Sequence, residues 1–213
     1  MIITKFYEEP HFCEKEILRY SGGGGGDEKT AELICSAIDE VKGKLSYKVC
    51  YGVFELPPKD GIFDIKSKIF ARNTNECRSL LVFAATVGVE IDRLIAKYGR
   101  IFPSRALIMQ AIGAERIEAL CDTFCNDFEK ENGVYLSSRF SPGYGDLPLS
   151  AQQEIFDVLN CQKRIGLTLN DSLLMSPSKS VTAFAGISDK KIKNTNNKCA
   201  MCNKTDCAYR GAI

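Results

Sequence analysis

Arg139-Phe140-Ser141-Pro142-Gly143-Tyr144-Gly145-Asp146 packs a fixed cation, a proline, two glycines, a phenol and a carboxylate into eight residues. Proline presets φ and removes a donor, while glycine lets the backbone turn sharply and approach a ligand. Arginine presents a planar fork of donors that matches a carboxylate or phosphate. Two readings are open on these residues alone. One is a Pro-Gly turn beside a surface arginine, and the other is a turn that holds an anion. Its neighbours on either side decide.

Downstream, Ser150 followed three residues on by Gln153 predicts a capping box. It would start a helix through Ile155, Phe156 and Leu159, so the turn would sit just ahead of an anion-attracting helix N-terminus. Leu173–Met175 and Val181–Ile187 read as strands, joined by Ser176-Pro177-Ser178-Lys179-Ser180. From Asp189 to Lys198 the chain turns basic and Asn-rich, as a linker does.

Upstream, Ser104 is expected to cap the longest helix, running to about Lys130 with the apolar stripe Ala114, Ile117, Cys121, Phe124, Cys125 and Phe128. Cys121 and Cys125 share one face and could in principle grip a metal, but they lie within the core stripe and read as packing. Leu80–Ala84 is a buried strand, followed by a helix carrying Ile91, Leu94, Ile95 and Tyr98. Tyr47–Leu56 alternates as a strand does and ends at Pro57-Pro58, with Ile62, Phe63 and Ile65 as a short partner strand. Asp27 is a candidate N-cap for a helix reaching Gly43. The five glycines Gly22–Gly26 lack the Lys-Ser/Thr ending of a phosphate loop and read as a flexible joint. Thr4–Tyr20 holds a short helix at best, and the lone His11 there reads as a surface residue. Strands and helices alternate without a repeating βαβ unit, which favours an α+β fold.

The totals agree with one globular domain. Of 213 residues, 45% are apolar and 26% charged, enough for a real core. A net charge of +1 with scattered basic residues gives no field for nucleic acid. No signal-peptide pattern opens the chain. The longest apolar run, Leu80–Val89, is about half of what spans a bilayer. The expected setting is a soluble protein of a reducing cytoplasm, with no membrane or nucleic-acid partner.

Three ordered segments carry a resemblance. Arg139-Phe-Ser-Pro-Gly-Tyr144, Ile165-Gly-Leu-Thr-Leu-Asn-Asp-Ser-Leu-Leu-Met175 and Pro177-Ser-Lys-Ser-Val181 together resemble the activation (reactivation) domain of cobalamin-dependent methionine synthase, in a stand-alone version. The resemblance implies a curved, largely antiparallel sheet flanked by helices, with S-adenosylmethionine in a shallow groove. It implies a partner, methionine synthase or a related corrinoid methyltransferase, that carries cobalamin. It also implies flavodoxin or ferredoxin as the electron donor for reductive remethylation of cob(II)alamin. Carried over residue by residue, Arg139 would fork onto the donor's carboxylate, the backbone near Ser141 and Gly143 would approach the ligand, and Tyr144 would supply a ring edge or hydroxyl. Asp146 is a further candidate for the donor's cationic groups, and Lys179 for completing the groove. No catalytic acid or base is expected, because the task is to position a methyl group.

The domain plan is then a segment with a Gly-rich joint over 1–26, the activation-like domain over 27–188, and a basic linker with a Cys-rich tail over 189–213. Ten cysteines are present, and three of them, Cys199, Cys202 and Cys207, lie within nine residues of the tail. That spacing suits zinc or an iron–sulfur cluster, with a fourth ligand from Asp206, Cys13 or a partner. A rival function follows: a metal- or cluster-bearing electron-transfer or interaction module that docks on corrinoid proteins.

Overall fold

The computed structural model describes residues 1–22, 27–57, 62–63 and 65–192. Five antiparallel strands form one sheet in the order β1 (Ile2–Tyr7), β2 (Tyr47–Glu55), β3 (Ser79–Thr86), β7 (Ser180–Ser188) and β4 (Tyr135–Leu136). A small hairpin, β5 (Thr168–Leu169) with β6 (Met175–Ser176), stands apart. Successive side chains of a strand point to opposite faces, and here both faces are covered. Leu81, Phe83 and Ala85 of β3 enter one core, while Leu80, Val82 and Ala84 enter the other. That double burial is why Leu80–Ala85 is apolar throughout instead of alternating.

The first core is closed by α1 (Glu14–Tyr20), α2 (Glu28–Val41), α4 (Glu90–Ile101) and α5 (Pro103–Asn132). The second is closed by α3 (Lys68–Thr74), α6 (Ala151–Leu159) and α7 (Cys161–Ile165). The α+β class and the helix-flanked antiparallel sheet expected from the sequence are therefore present. Asp27 caps α2 by accepting from Thr30 N at 2.8 Å. The 30-residue α5 is the longest helix, begun by Pro103 at its first turn and ended by Gly133 in the left-handed region, φ 61°.

Several local expectations are corrected. Residues 2–7 form edge strand β1 against β2, not part of a short helix. Phe63 is a fully buried turn residue with φ 58°, so Ile62 and Phe63 lie in a turn and not in a partner strand. Its place against the second core is set by Phe54 and Phe184, 5.1 and 5.4 Å away between ring centroids. Ser104 does not cap α5, whose N-cap is Phe102. The Ser150 capping box does not form either. Ser150 is already in the αR region and its carbonyl accepts from Gln153 N at 3.0 Å, which leaves its hydroxyl no capping geometry. The glycines 23–26 and most of the 189–198 linker lie outside the described residues.

The N-terminal segment is fastened to α5 by backbone hydrogen bonds to a buried ion pair of that helix. Arg116 is fully buried, bonds Glu115 through Nε and Nη2 at 2.5 Å, and donates to the carbonyls of Pro10 and His11. Its guanidinium also stacks 3.9 Å from the Phe12 ring centroid. His11 itself is exposed, as the sequence suggested.

Candidate functional site

Beyond β4 the chain stays with β7. Ser137 N donates to Gly186 O at 2.8 Å, and Phe140 and Phe184 exchange backbone bonds at 3.1 and 2.9 Å. Extended backbone alternates sides, so Phe140 enters the second core against Phe70 and Phe184. Arg139 points the other way, to α5. There its Nη1 donates to Asp122 and its Nη2 to Glu118 Oε2 at 2.9 Å.

Between α5, residues 136–144 and β7 lies a cavity of about 510 Å³. Arg139, Ser141 and Tyr144 line it opposite Glu118, Cys121 and Cys125. A second cavity of about 230 Å³ shares Arg139, Phe140 and Tyr144 with the first and adds Ile69, Arg72 and Asn73. The Arg139–Tyr144 turn thus forms a wall common to both. Burial works against the Arg139 charge, but the hydrogen-bonded Asp122 carboxylate outweighs it and holds its pKa above the ordinary value. Burial pushes the thiols of Cys121 and Cys125 up, which keeps them protonated at neutral pH.

The two glycines shape the turn instead of lining it. Gly143 has φ 85° and its N–H donates to Leu147 O at 3.0 Å. Gly145 has φ 60°, and a Cβ there would meet Ile69 Cδ1 at 2.0 Å.

Asp146 is placed otherwise than expected. Its oxygens accept from Ser67 Oγ at 2.6 Å, Lys68 N at 2.6 Å and Ile69 N at 3.2 Å, so it seats the first turn of α3. The Ser67 hydroxyl, then the Lys68 N–H, hold its carboxyl below the ordinary range. A carboxylate so engaged does not face the cavity. Its contribution is to carry Arg72 and Asn73 to the second cavity. Lys179 is also displaced from its expected role. Its stem packs on Gly113, where a Cβ would meet Lys179 Cγ at 2.8 Å. Gly113 precedes Cys121 by about 12 Å along α5, at 1.5 Å per residue. Burial lowers the Lys179 pKa, with Asp92 opposing.

Sequence reasoning missed Glu118, Asp122 and Arg72, and it assigned Cys121 and Cys125 to packing alone. The i, i+4 step from Glu118 to Asp122, toward a helix face that also carries the thiols, was the available signal. A larger groove of about 740 Å³ lies on the opposite side of the sheet, among Gln153, Asp157, Asn160, Gln162, Asn170 and Asp171. It holds none of the expected residues and no cation, so size alone does not make it the candidate. Cys199, Cys202, Cys207 and Asp206 lie outside the described residues. Among the described residues, no group of three or more His, Cys, Asp or Glu side chains could hold a metal, Cys13 included. No helix there is long and apolar enough to cross a membrane.

Fold and site together define an α+β domain with an arginine-walled cavity beside one edge of its sheet. The sequence model of the vitamin B12 dependent methionine synthase activation domain matches residues 68–200, and the chain belongs to that family. Among solved structures, one described as the MetH reactivation domain bound to AdoHcy matches with a TM-score of 0.64 at 14% identity. The match covers 91% of this chain and 81% of that one, and at such identity the likeness is one of fold. No curated protein matches the chain.

Proposed function

We propose that this chain binds S-adenosylmethionine in the cavity at Arg139 and presents its methyl group to a corrinoid carried by a partner methionine synthase or related methyltransferase. The observation that carries the reading is the position of Arg139. Arg139, which the resemblance matches to the family's arginine, lines a cavity of about 510 Å³, within the usual range of roughly 300–1,000 Å³ for small-molecule sites.

The residues fit such a ligand. Arg139 has five N–H donors, which suit bidentate capture of the donor's carboxylate. Its present partners are exposed carboxylates, and Asp122, 64% exposed, is the one a ligand carboxylate would displace. Glu118 lines the cavity and is left to face the donor's ammonium. Tyr144 offers a ring face at the wall shared with the second cavity. The corrinoid would supply the nucleophile and an electron from flavodoxin or ferredoxin the reduction. What this chain supplies is orientation and the exclusion of water. Cytoplasmic action, without membrane or nucleic acid, belongs to the same reading.

The test is reactivation of a methionine synthase loaded with cob(II)alamin and lacking its own activation domain. Recovery of methylcobalamin that depends on this protein and on S-adenosylmethionine supports the reading. Equal recovery without the protein rejects it.

A further inference from the structure

The candidate cavity has a wall whose chemistry the donor reading does not use. Cys121 and Cys125 stand one helical turn apart on α5, and residues so spaced have Cβ atoms about 5–6 Å apart on one face. Both line the cavity at Arg139. A disulfide is a poor match for that geometry, because Cβ atoms in disulfides stand about 3.8 Å apart. A metal ion is equally ill served, since no third His, Cys, Asp or Glu joins them among the described residues. What remains is chemistry that needs two soft ligands and accepts them as neutral thiols.

We infer that half-buried Cys125 and buried Cys121 form a dithiol site on the wall of the cavity at Arg139 that takes a trivalent arsenical and thereby excludes the methyl donor. The exclusion half rests on the donor reading; the dithiol half does not. With an aryl arsenic dihydroxide, two As–O bonds break and two As–S bonds form. The two thiol protons leave with the two hydroxyls as water. Arsenic remains trivalent, so no oxidant or reductant is required. The aryl group then occupies the space between α5 and Tyr144.

Two other thiol groups could take the same reagent, and both can be separated. The tail cysteines are removed by Cys199→Ser, Cys202→Ser and Cys207→Ser in the full chain. Cys50 and Cys161 have Sγ atoms 4.0 Å apart in the second core but line no part of the cavity at Arg139, and the thiol map tells the two pairs apart.

The experiment titrates that full-length triple variant with phenylarsine oxide, maps thiols still protected from iodoacetamide once the protein is unfolded in urea, and repeats S-adenosylmethionine calorimetry on loaded protein. The expected result is one arsenical per chain with Cys121 and Cys125 protected. Cys125→Ser should then weaken binding by about 100-fold or more, as one anchor of a bidentate ligand is lost. Alkylation of Cys121 and Cys125 as in untreated protein, or protection of Cys50 and Cys161 instead, overturns the site. Unchanged donor binding to loaded protein overturns the exclusion. Failure of untreated protein to bind the donor sinks the proposed function, while the protection map still decides the dithiol site.

Discussion

Arg139 Nη2 donates to Glu118 Oε2 at 2.9 Å, so the guanidinium is held against the wall of its own cavity by a helix that sequence reasoning treated as core. The pairing orients the fork. It also means that any ligand carboxylate competes with carboxylates already in place.

The size of that competition is predictable. Exposed ion pairs contribute about 0.2–1 kcal/mol. Asp122→Asn should therefore tighten donor binding by no more than about fivefold, since 1.4 kcal/mol is tenfold. Calorimetry on the two proteins measures this. A marked loss of affinity would mean that Asp122 positions Arg139 and does not compete for it.

Arg116 and Glu115 predict a larger effect on stability. Arg116→Ala leaves the Glu115 carboxylate buried without its partner, and breaking such a pair costs about 3–5 kcal/mol. Replacing both by apolar residues, Glu115→Leu with Arg116→Met, should cost much less. Urea denaturation of the three proteins decides. Equal destabilisation by the single and double changes would show that the lost bonds to Pro10 and His11, not the unpaired charge of Glu115, set the cost.

Gly145→Ala separates strain from crowding. Ile69 Cδ1 is the end of a flexible side chain and can yield, but φ 60° remains unfavourable for alanine by about 1–2 kcal/mol. Adding Ile69→Ala should therefore not rescue the loss seen in thermal melts. Full rescue would assign the effect to crowding alone.

Asp146 makes a pH-dependent prediction. Its folded carboxyl lies below the ordinary value, held by Ser67 and Lys68, so its stabilisation is present above the unfolded carboxyl pKa and fades as pH falls through the folded one. The stability difference between the protein and Asp146→Asn should thus be largest near neutrality and vanish in acid. Denaturant titrations over that range check it, and a difference that grows toward low pH would contradict it.

What the sequence revealed follows the range of the forces involved. Asp27 and the doubly buried strand Leu80–Ala84 were legible because a cap and an apolar run are local. Strand β1 was not, because Ile2–Tyr7 is a half-exposed edge strand whose pairing with residues 47–52 is long-range. Ser150 misled because a turn from Pro148 to Gln153 had already wound its backbone into the helical region. Asp146 misled for a related reason. Its partners Ser67 and Lys68 lie 79 and 78 residues away, and only the fold shows that the carboxylate is engaged by α3.

The central claim is that Arg139 holds the methyl donor. The most direct measurement is calorimetric titration of S-adenosylmethionine into the protein and into Arg139→Ala, with circular dichroism to confirm that both are folded. The account predicts saturable binding to the protein and a loss of about tenfold or more in the variant, as expected for removal of a charge-assisted contact worth about 1.5–3 kcal/mol. Equal affinity in a folded variant would contradict it and move the donor away from this cavity.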